Sequence, residues 1–238
     1  MSQYQILNKE KHRRLRIRTG CGAALGDAVM YVMTYPMEFR DIQSCYPILF
    51  TKDPNTGGFF AAAVMGLEAG QNLFLQGDRW DATYVPTMVQ RQPFLIATGG
   101  EGDDKPPVVS LDLDHPRVSQ DEGEVLFDGE GKPSEFLNQK IGLLDKLHRG
   151  LQHGNGFIDT LLQHQLLVQI VLDLAFNDGG KKTLQGFYCI EEERLYQLKG
   201  DVLESLNQAG YLQPVFMAVA SLSRVRDLIE RRNRLRVQ

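Results

Sequence analysis

Three cysteines and one tryptophan are spread over 238 residues, and no apolar run approaches the ~20 residues of a membrane-spanning helix. Cys21, Cys45 and Cys189 form an odd, scattered set without a CxxC pair or a histidine at zinc-finger spacing, so neither a disulfide framework nor a structural zinc site follows. Free thiols fit a reducing, cytoplasmic setting. The longest apolar stretch, Phe59–Leu67, is core-sized. A basic segment followed by Cys21–Met33 imitates a secretory leader, but Asp27 interrupts its apolar part, so export is not expected. Internal repeats and low-complexity tracts are also lacking.

What is present suffices for a core. A chain of this length with 42% hydrophobic residues buries enough surface to fold without staples, and one domain, residues 1–238, is the expectation. The net charge of -4 hides a polar layout. Residues 9–18 carry six basic side chains against Glu10, and residues 224–236 carry six arginines against Asp227 and Glu230. Residues 101–135 hold eleven carboxylates against three cations. Pairing of the basic ends, including segment 1–20, with the acidic middle is the plainest use of this layout, and the acidic balance argues against nucleic acid as ligand.

From Tyr46 onward short apolar runs alternate with turn formers, which predicts an antiparallel meander over Tyr46–Thr51, Phe59–Leu67, Asn72–Gln76, Pro93–Thr98 and Val108–Leu113. Asp53-Pro54-Asn55-Thr56-Gly57-Gly58 suits a tight hairpin turn. In Leu166–Phe176 the even-numbered residues are apolar, and Asn177-Asp178-Gly179-Gly180 turns the chain back into Thr183–Ile190 as a second hairpin. Ser134 is placed to cap a helix with Leu137, Ile141, Leu144, Leu147 and Leu151 on one face. Asp201 and Glu204 resemble a capping box, Gly210 a helix stop, and Val215–Arg234 a single last helix. Residues 99–107 read as a polar loop. The fold class is therefore α+β, mainly antiparallel sheet packed with amphipathic helices.

Few residues suggest chemistry. Gly20-Cys21-Gly22-Ala23-Ala24-Leu25-Gly26, after a short strand within Leu15–Thr19, has glycines as a dinucleotide turn does, but at GxGxxxG spacing and without a following acidic strand end, so a plain turn is expected. Gly179-Gly180-Lys181-Lys182-Thr183 lacks the leading glycine of a phosphate loop. His148 and His153 are five apart and do not share a helix face. Asp112, Asp114 and His115 are the metal candidates, weak because no third carboxylate joins them; the acidic run from Asp121 to Glu130 has no EF-hand spacing. No GxSxG elbow is present and no cofactor is implied. Arg79, Trp80, Tyr84, Arg91 and Phe94 bring aromatics beside guanidinium groups, a composition that lines ligand or partner surfaces.

His12 with Leu15-Arg16, then Glu38-Phe39, Tyr46-Pro47-Ile48-Leu49-Phe50, Gly66-Leu67, Asn72-Leu73-Phe74, Trp80, Tyr84-Val85-Pro86, Pro93-Phe94, Leu126-Phe127 with Gly131 and Ser134, Gly186-Phe187-Tyr188 and Ser221-Leu222 occur in this order. The ordered set resembles the bacterial SapC-like family over nearly the whole chain. The sequence departs from that pattern at Gln90-Arg91-Gln92, where an arginine pair is expected before Pro93, and before Ser221, where a histidine is missing. The resemblance implies an accessory part in uptake or modification of a sugar or peptide alongside a partner such as a flavin-dependent halogenase-like or cupin-like protein, and with no catalytic motif in the residues the expectation is a non-catalytic binding protein. A metal-dependent or sugar-modifying enzyme is the alternative, and a surface-layer component is less favoured by the thiols and the missing leader.

Overall fold

The computed structural model describes residues 3–98 and 107–235. In chain order the strands are β1 (Tyr4–Ile6), β2 (Arg16–Ile17), β3 (Tyr31–Thr34), β4 (Ile48–Lys52), β5 (Phe59–Val64), β6 (Leu75–Gln76), β7 (Arg79–Trp80), β8 (Phe94–Thr98), β9 (Pro107–Asp112), β10 (Val118–Ser119), β11 (Glu124–Val125), β12 (Leu167–Ala175) and β13 (Lys181–Ile190). The helices are α1 (Phe39–Ile42), α2 (Thr87–Gln90), α3 (Glu135–Gln163), α4 (Glu192–Tyr196), α5 (Gly200–Gln208), α6 (Leu212–Ser221) and α7 (Val225–Leu235). All named strand pairs are antiparallel, and the protein is α+β. The expected polar loop, apart from Pro107, lies outside the described residues.

The chain divides into two compact units, each assembled from separated stretches: Met1–Ala28, Leu75–Trp80 and Thr87–Arg149 in the first, Val29–Phe74, Asp81–Pro86 and Gly150–Gln238 in the second. In the first unit β9 lies between β1 and β8, and β2 lies between β10 and β11. The tight seam at β2 depends on Gly123, at φ +109°, where a Cβ would stand 2.3 Å from the Ile17 carbonyl oxygen. Only glycine tolerates both that φ and that approach. Phe94, Leu111, Leu126, Leu137 and Leu144 make the buried core of this unit.

The second unit holds a five-stranded sheet in the order β12-β13-β4-β5-β3. The β4–β5 turn closes as its residues dictate: the Gly57 N–H donates to the Asp53 carbonyl at 2.8 Å, with Gly57 at φ +71°. Both expected hairpins form and join one sheet through Tyr188 and Phe50. Phe39 meets Phe157 edge-on at 5.8 Å, and Tyr46 meets Phe74 at 4.6 Å, inside the same unit. Such aromatic pairs bury large areas and fix orientation.

Several expectations need correction. The strands between Tyr46 and Leu113 do not form one meander, because β4 and β5 enter the five-stranded sheet while β8 and β9 enter a sheet of the first unit. Asn72 to Phe74 is not strand: the Asn72 side chain accepts from the Phe74 N–H at 3.0 Å, a local turn that competes with a ladder. The last helix is broken by a 3-10 turn at Leu222–Arg224. There the buried Ser221 hydroxyl donates to the Ala218 carbonyl at 2.6 Å and accepts from the Ile48 N–H at 2.8 Å. Such back-bonding tightens and bends a helix. Ser134 caps α3 as expected, accepting from the Leu137 N–H at 3.1 Å, but α5 starts after Lys199 with no side-chain cap, so the Asp201–Glu204 box does not form. α3 also runs twelve residues past Leu151 to Gln163, through Gly154 and Gly156.

Candidate functional site

Those helical glycines shape a cleft within the second unit. At Gly150 a Cβ would lie 2.3 Å from the Tyr35 ring, and at Gly156 one would lie 2.6 Å from the Tyr211 hydroxyl, so each glycine lets an aromatic ring press against the helix backbone. Gly154, between them, has only ordinary contacts near 3.6 Å to Pro36. Opposite this stretch the β4–β5 hairpin and the end of β3 complete a half-open cleft of about 260 Å³. Phe59, Phe60, Leu151 and Ile158 give it apolar walls, and Asn155 and Thr56 give polar edges. The rim carboxylate Asp53 is committed to the turn, where hydrogen bonds from the N–H groups of Thr56 and Asn55 hold it below the usual carboxylate range. Close by in the chain, Glu38 is buried and accepts from the hydroxyls of Thr34 at 2.7 Å and Tyr84 at 2.8 Å, while the Tyr46 hydroxyl donates to the Tyr84 carbonyl. These bonds fix the chain around Tyr35 and Pro36.

In the first unit a buried ion pair replaces the dinucleotide turn. Arg117 Nη2 donates to both Asp27 carboxylate oxygens at 2.7 and 2.8 Å, and its Nη1 donates to the carbonyls of Gly20 and Arg18. Asp27 also accepts from the Gly22 N–H, and the N–H groups of Leu25, Gly26 and Asp27 bond within the loop. Amides spent this way are not aimed at a phosphate, which agrees with the plain-turn expectation. A second, polar cavity of about 430 Å³ in this unit is bordered by Gln5, Lys11, His12 and Ser119. Burial, with Lys11 adding to it, pushes His12 below its ordinary pKa; Nδ1 accepts from the Asn8 N–H at 3.0 Å, which leaves the ring proton on Nε2 facing Gln5 at 3.3 Å.

The metal candidates are directed to main chain. Asp112 accepts from the Asp114 N–H, Asp114 from the Gln3 N–H and His115 Nδ1 from the Arg117 N–H. Among the described residues no three histidine, cysteine or acidic side chains stand as a metal-binding group.

The aromatic and arginine set is divided. Arg79 is exposed and donates to Gln76 at 2.5 Å, beside half-buried Trp80 on the β6–β7 hairpin. Arg91 donates to the Phe94 carbonyl at 2.7 Å, but the Phe94 ring is 0% exposed and packs against Phe136. Tyr84 belongs to the second unit, bonded to Glu38. The cleft residues Tyr35, Phe59, Phe60 and Asn155 were not among the expected site residues; the signal that pointed to them is the spacing of Gly150, Gly154 and Gly156 within a helix, where each glycine costs about 1 kcal/mol relative to alanine and needs a packing reason.

An α+β chain with an apolar cleft in its second unit is the class that fold and geometry define. The SapC family model matches residues 7–228, and the chain belongs to the SapC family. No curated protein and no solved structure matches it. No helix among the described residues is long and apolar enough to cross a membrane.

Proposed function

We propose that the protein is a non-catalytic binding protein of the cytoplasm that holds a sugar or peptide in its second-unit cleft and serves uptake or modification of that ligand alongside a partner protein. The cleft carries this reading: apolar and aromatic walls with a few polar edges are the usual composition of a ligand site. Its rim carboxylate is tied into a turn rather than held ready for proton transfer, which favours binding over catalysis. Arg79, Trp80 and Arg91 of the first unit and Tyr84 of the second keep accessible surface and serve as partner contacts in this reading, whereas the Phe94 ring is buried. A flavin-dependent halogenase-like or cupin-like partner is the one the family resemblance implies.

The test is binding of purified protein to glycan and peptide arrays, with Gly154→Leu as the filled-cleft variant. Ligand binding should fall about tenfold or more in the variant while its circular dichroism stays unchanged. Undiminished binding by a folded variant, or chemical conversion of the ligand, would refute the proposal. Affinity capture from native cells, read by mass spectrometry, should return a reproducible partner.

A further inference from the structure

β12 ends the five-stranded sheet, with β13 as its hydrogen-bonded neighbour on one side. The Glu191 N–H donates to the Leu166 carbonyl and the Phe176 N–H to the Gly180 carbonyl, both at 2.9 Å. Even-numbered residues therefore spend their main-chain groups on β13, and alternation turns those of Leu167, Gln169, Val171, Asp173 and Ala175 outward. Among the described residues no hydrogen bond engages these outward groups. Edge strands are ordinarily blunted by short length, lysine, proline or a bulge, because an open edge pairs with other strands. β12 runs for nine residues without lysine or proline, and its irregularity lies on the partner strand. Between the Ile170–Phe187 and Leu172–Leu184 pairs β12 contributes Val171 alone, while β13 contributes Gln185 and Gly186, the latter at φ +85°. Val171, at the centre of the strand, is 58% exposed, and Val168, Ile170 and Leu172 are only half-buried.

We infer that β12 pairs antiparallel with β12 of a second copy of this chain, about a two-fold axis at Val171. Such a contact requires a strand that complements its own reverse. With the axis at Val171 all nine residues find partners: Leu167 opposite Ala175, Val168 opposite Leu174, Gln169 opposite Asp173, Ile170 opposite Leu172, and Val171 opposite itself. Outward main-chain groups then face outward main-chain groups, so the ladder closes. Apolar meets apolar except where Gln169 meets Asp173, and there an amide donor faces a carboxylate. One Asp173 oxygen already accepts from the Thr183 hydroxyl at 2.6 Å, which leaves the other for the amide. An axis at Ile170 or Leu172 instead sets Asp173 opposite Leu167 or Val171, a charge against an apolar side chain. β12 lies within the second unit, and the pairing does not depend on the cleft reading.

Sedimentation equilibrium and cysteine cross-linking of the purified chain test this. The mass should rise with concentration toward twice 26.9 kDa by about 100 µM. Val171→Pro removes an outward N–H and Val171→Lys sets two cations face to face, both without touching the β13 ladder, so each should weaken association about tenfold or more with circular dichroism unchanged. Facing residues of a hydrogen-bonded antiparallel pair stand about 5.5 Å apart at Cα, within disulfide reach, so Val171→Cys should cross-link into a dimer on mild oxidation. Gln169→Cys, whose two copies stand roughly 14 Å apart in this register, should not. The unaltered chain, with Cys21, Cys45 and Cys189, sets the background when oxidised in parallel. A chain that stays monomeric at every concentration would overturn the inference and leave the edge to an extended segment of another protein. A dimer that survives both substitutions, or that cross-links through Gln169→Cys as readily as through Val171→Cys, would overturn it too. Should the proline variant fail to fold, the lysine variant and the cross-linking pattern decide.

Discussion

Arg117 concentrates more of the first unit's structure than any feature of its sequence neighbourhood announces. Its two terminal nitrogens reach Asp27 and two carbonyls of the Gly20 loop, and both side chains of the pair are buried. Removing one partner leaves a buried charge uncompensated, so Arg117→Met should cost about 3–5 kcal/mol in urea unfolding. A loss below 1 kcal/mol would show the pair to be dispensable. Histidine burial sets a pH trend in the same unit. Burial is the leading cause that lowers both His12 and His115, with Lys11 adding to it at the first and Arg117 at the second. The unfolded chain then binds protons near pH ~6.5 that the folded chain refuses, so stability should be full above that pH and fall as the pH drops below it. His12→Asn, which keeps an acceptor near the Asn8 N–H, should flatten part of that fall when unfolding is compared at pH values of about 7.5 and 5.5.

At the scale of elements, α3 shows where periodicity informs and where it misleads. The leucines from Leu137 to Leu147 announced an amphipathic helix, and Ser134 announced its start. The apolar spacing carried the helix only as far as Leu151; beyond it Gly154 and Gly156 oppose helix in the absence of packing, and packing of the helix against Tyr35 and Tyr211 was invisible in a linear reading. A matched pair of substitutions separates the two effects. Gly142→Ala, facing open space, should raise stability by about 0.5–1 kcal/mol, whereas Gly150→Ala, driven into the Tyr35 ring, should lose about 1–3 kcal/mol. Thermal unfolding of both variants checks the sign of each. The hairpins were legible for a complementary reason: turn chemistry and alternation are local, as in Asp53–Gly58 and in β12 with β13. Sheet membership was not, since pairing of Phe50 with Tyr188 spans 138 positions and leaves no local mark. The cleft shares that fate, because its walls come from three distant stretches.

For the whole molecule, the family pattern and the charge layout acquire physical content. Several residues of the ordered pattern turn out to be fasteners: Glu38 receives two hydroxyls, Tyr46 and Tyr84 tie their loops, and Ser221 joins α6 to β4. Part of the basic amino-terminal segment is bonded into the acidic stretch, with Arg13 on the Gly129 carbonyl, Arg16 on that of Gly123 and Arg18 beside Glu122. At the other end Arg231 pairs with Asp81 at 2.7 Å and stacks on Phe74, and Arg232 pairs with Asp178 at 2.7 Å. Of these contacts Arg18–Glu122 joins a basic end to the acidic 101–135 stretch by charge, Arg13 and Arg16 bond its main-chain carbonyls, and Arg231 and Arg232 pair with carboxylates elsewhere.

Hydrogen exchange, measured by mass spectrometry on the purified chain with and without a ligand recovered from the arrays, tests the cleft reading most directly. Slower exchange in residues 53–61 and 151–158, with the ligand recovered chemically intact, is the expected result. Protection that leaves both segments unchanged, or a ligand returned with altered mass, would contradict it.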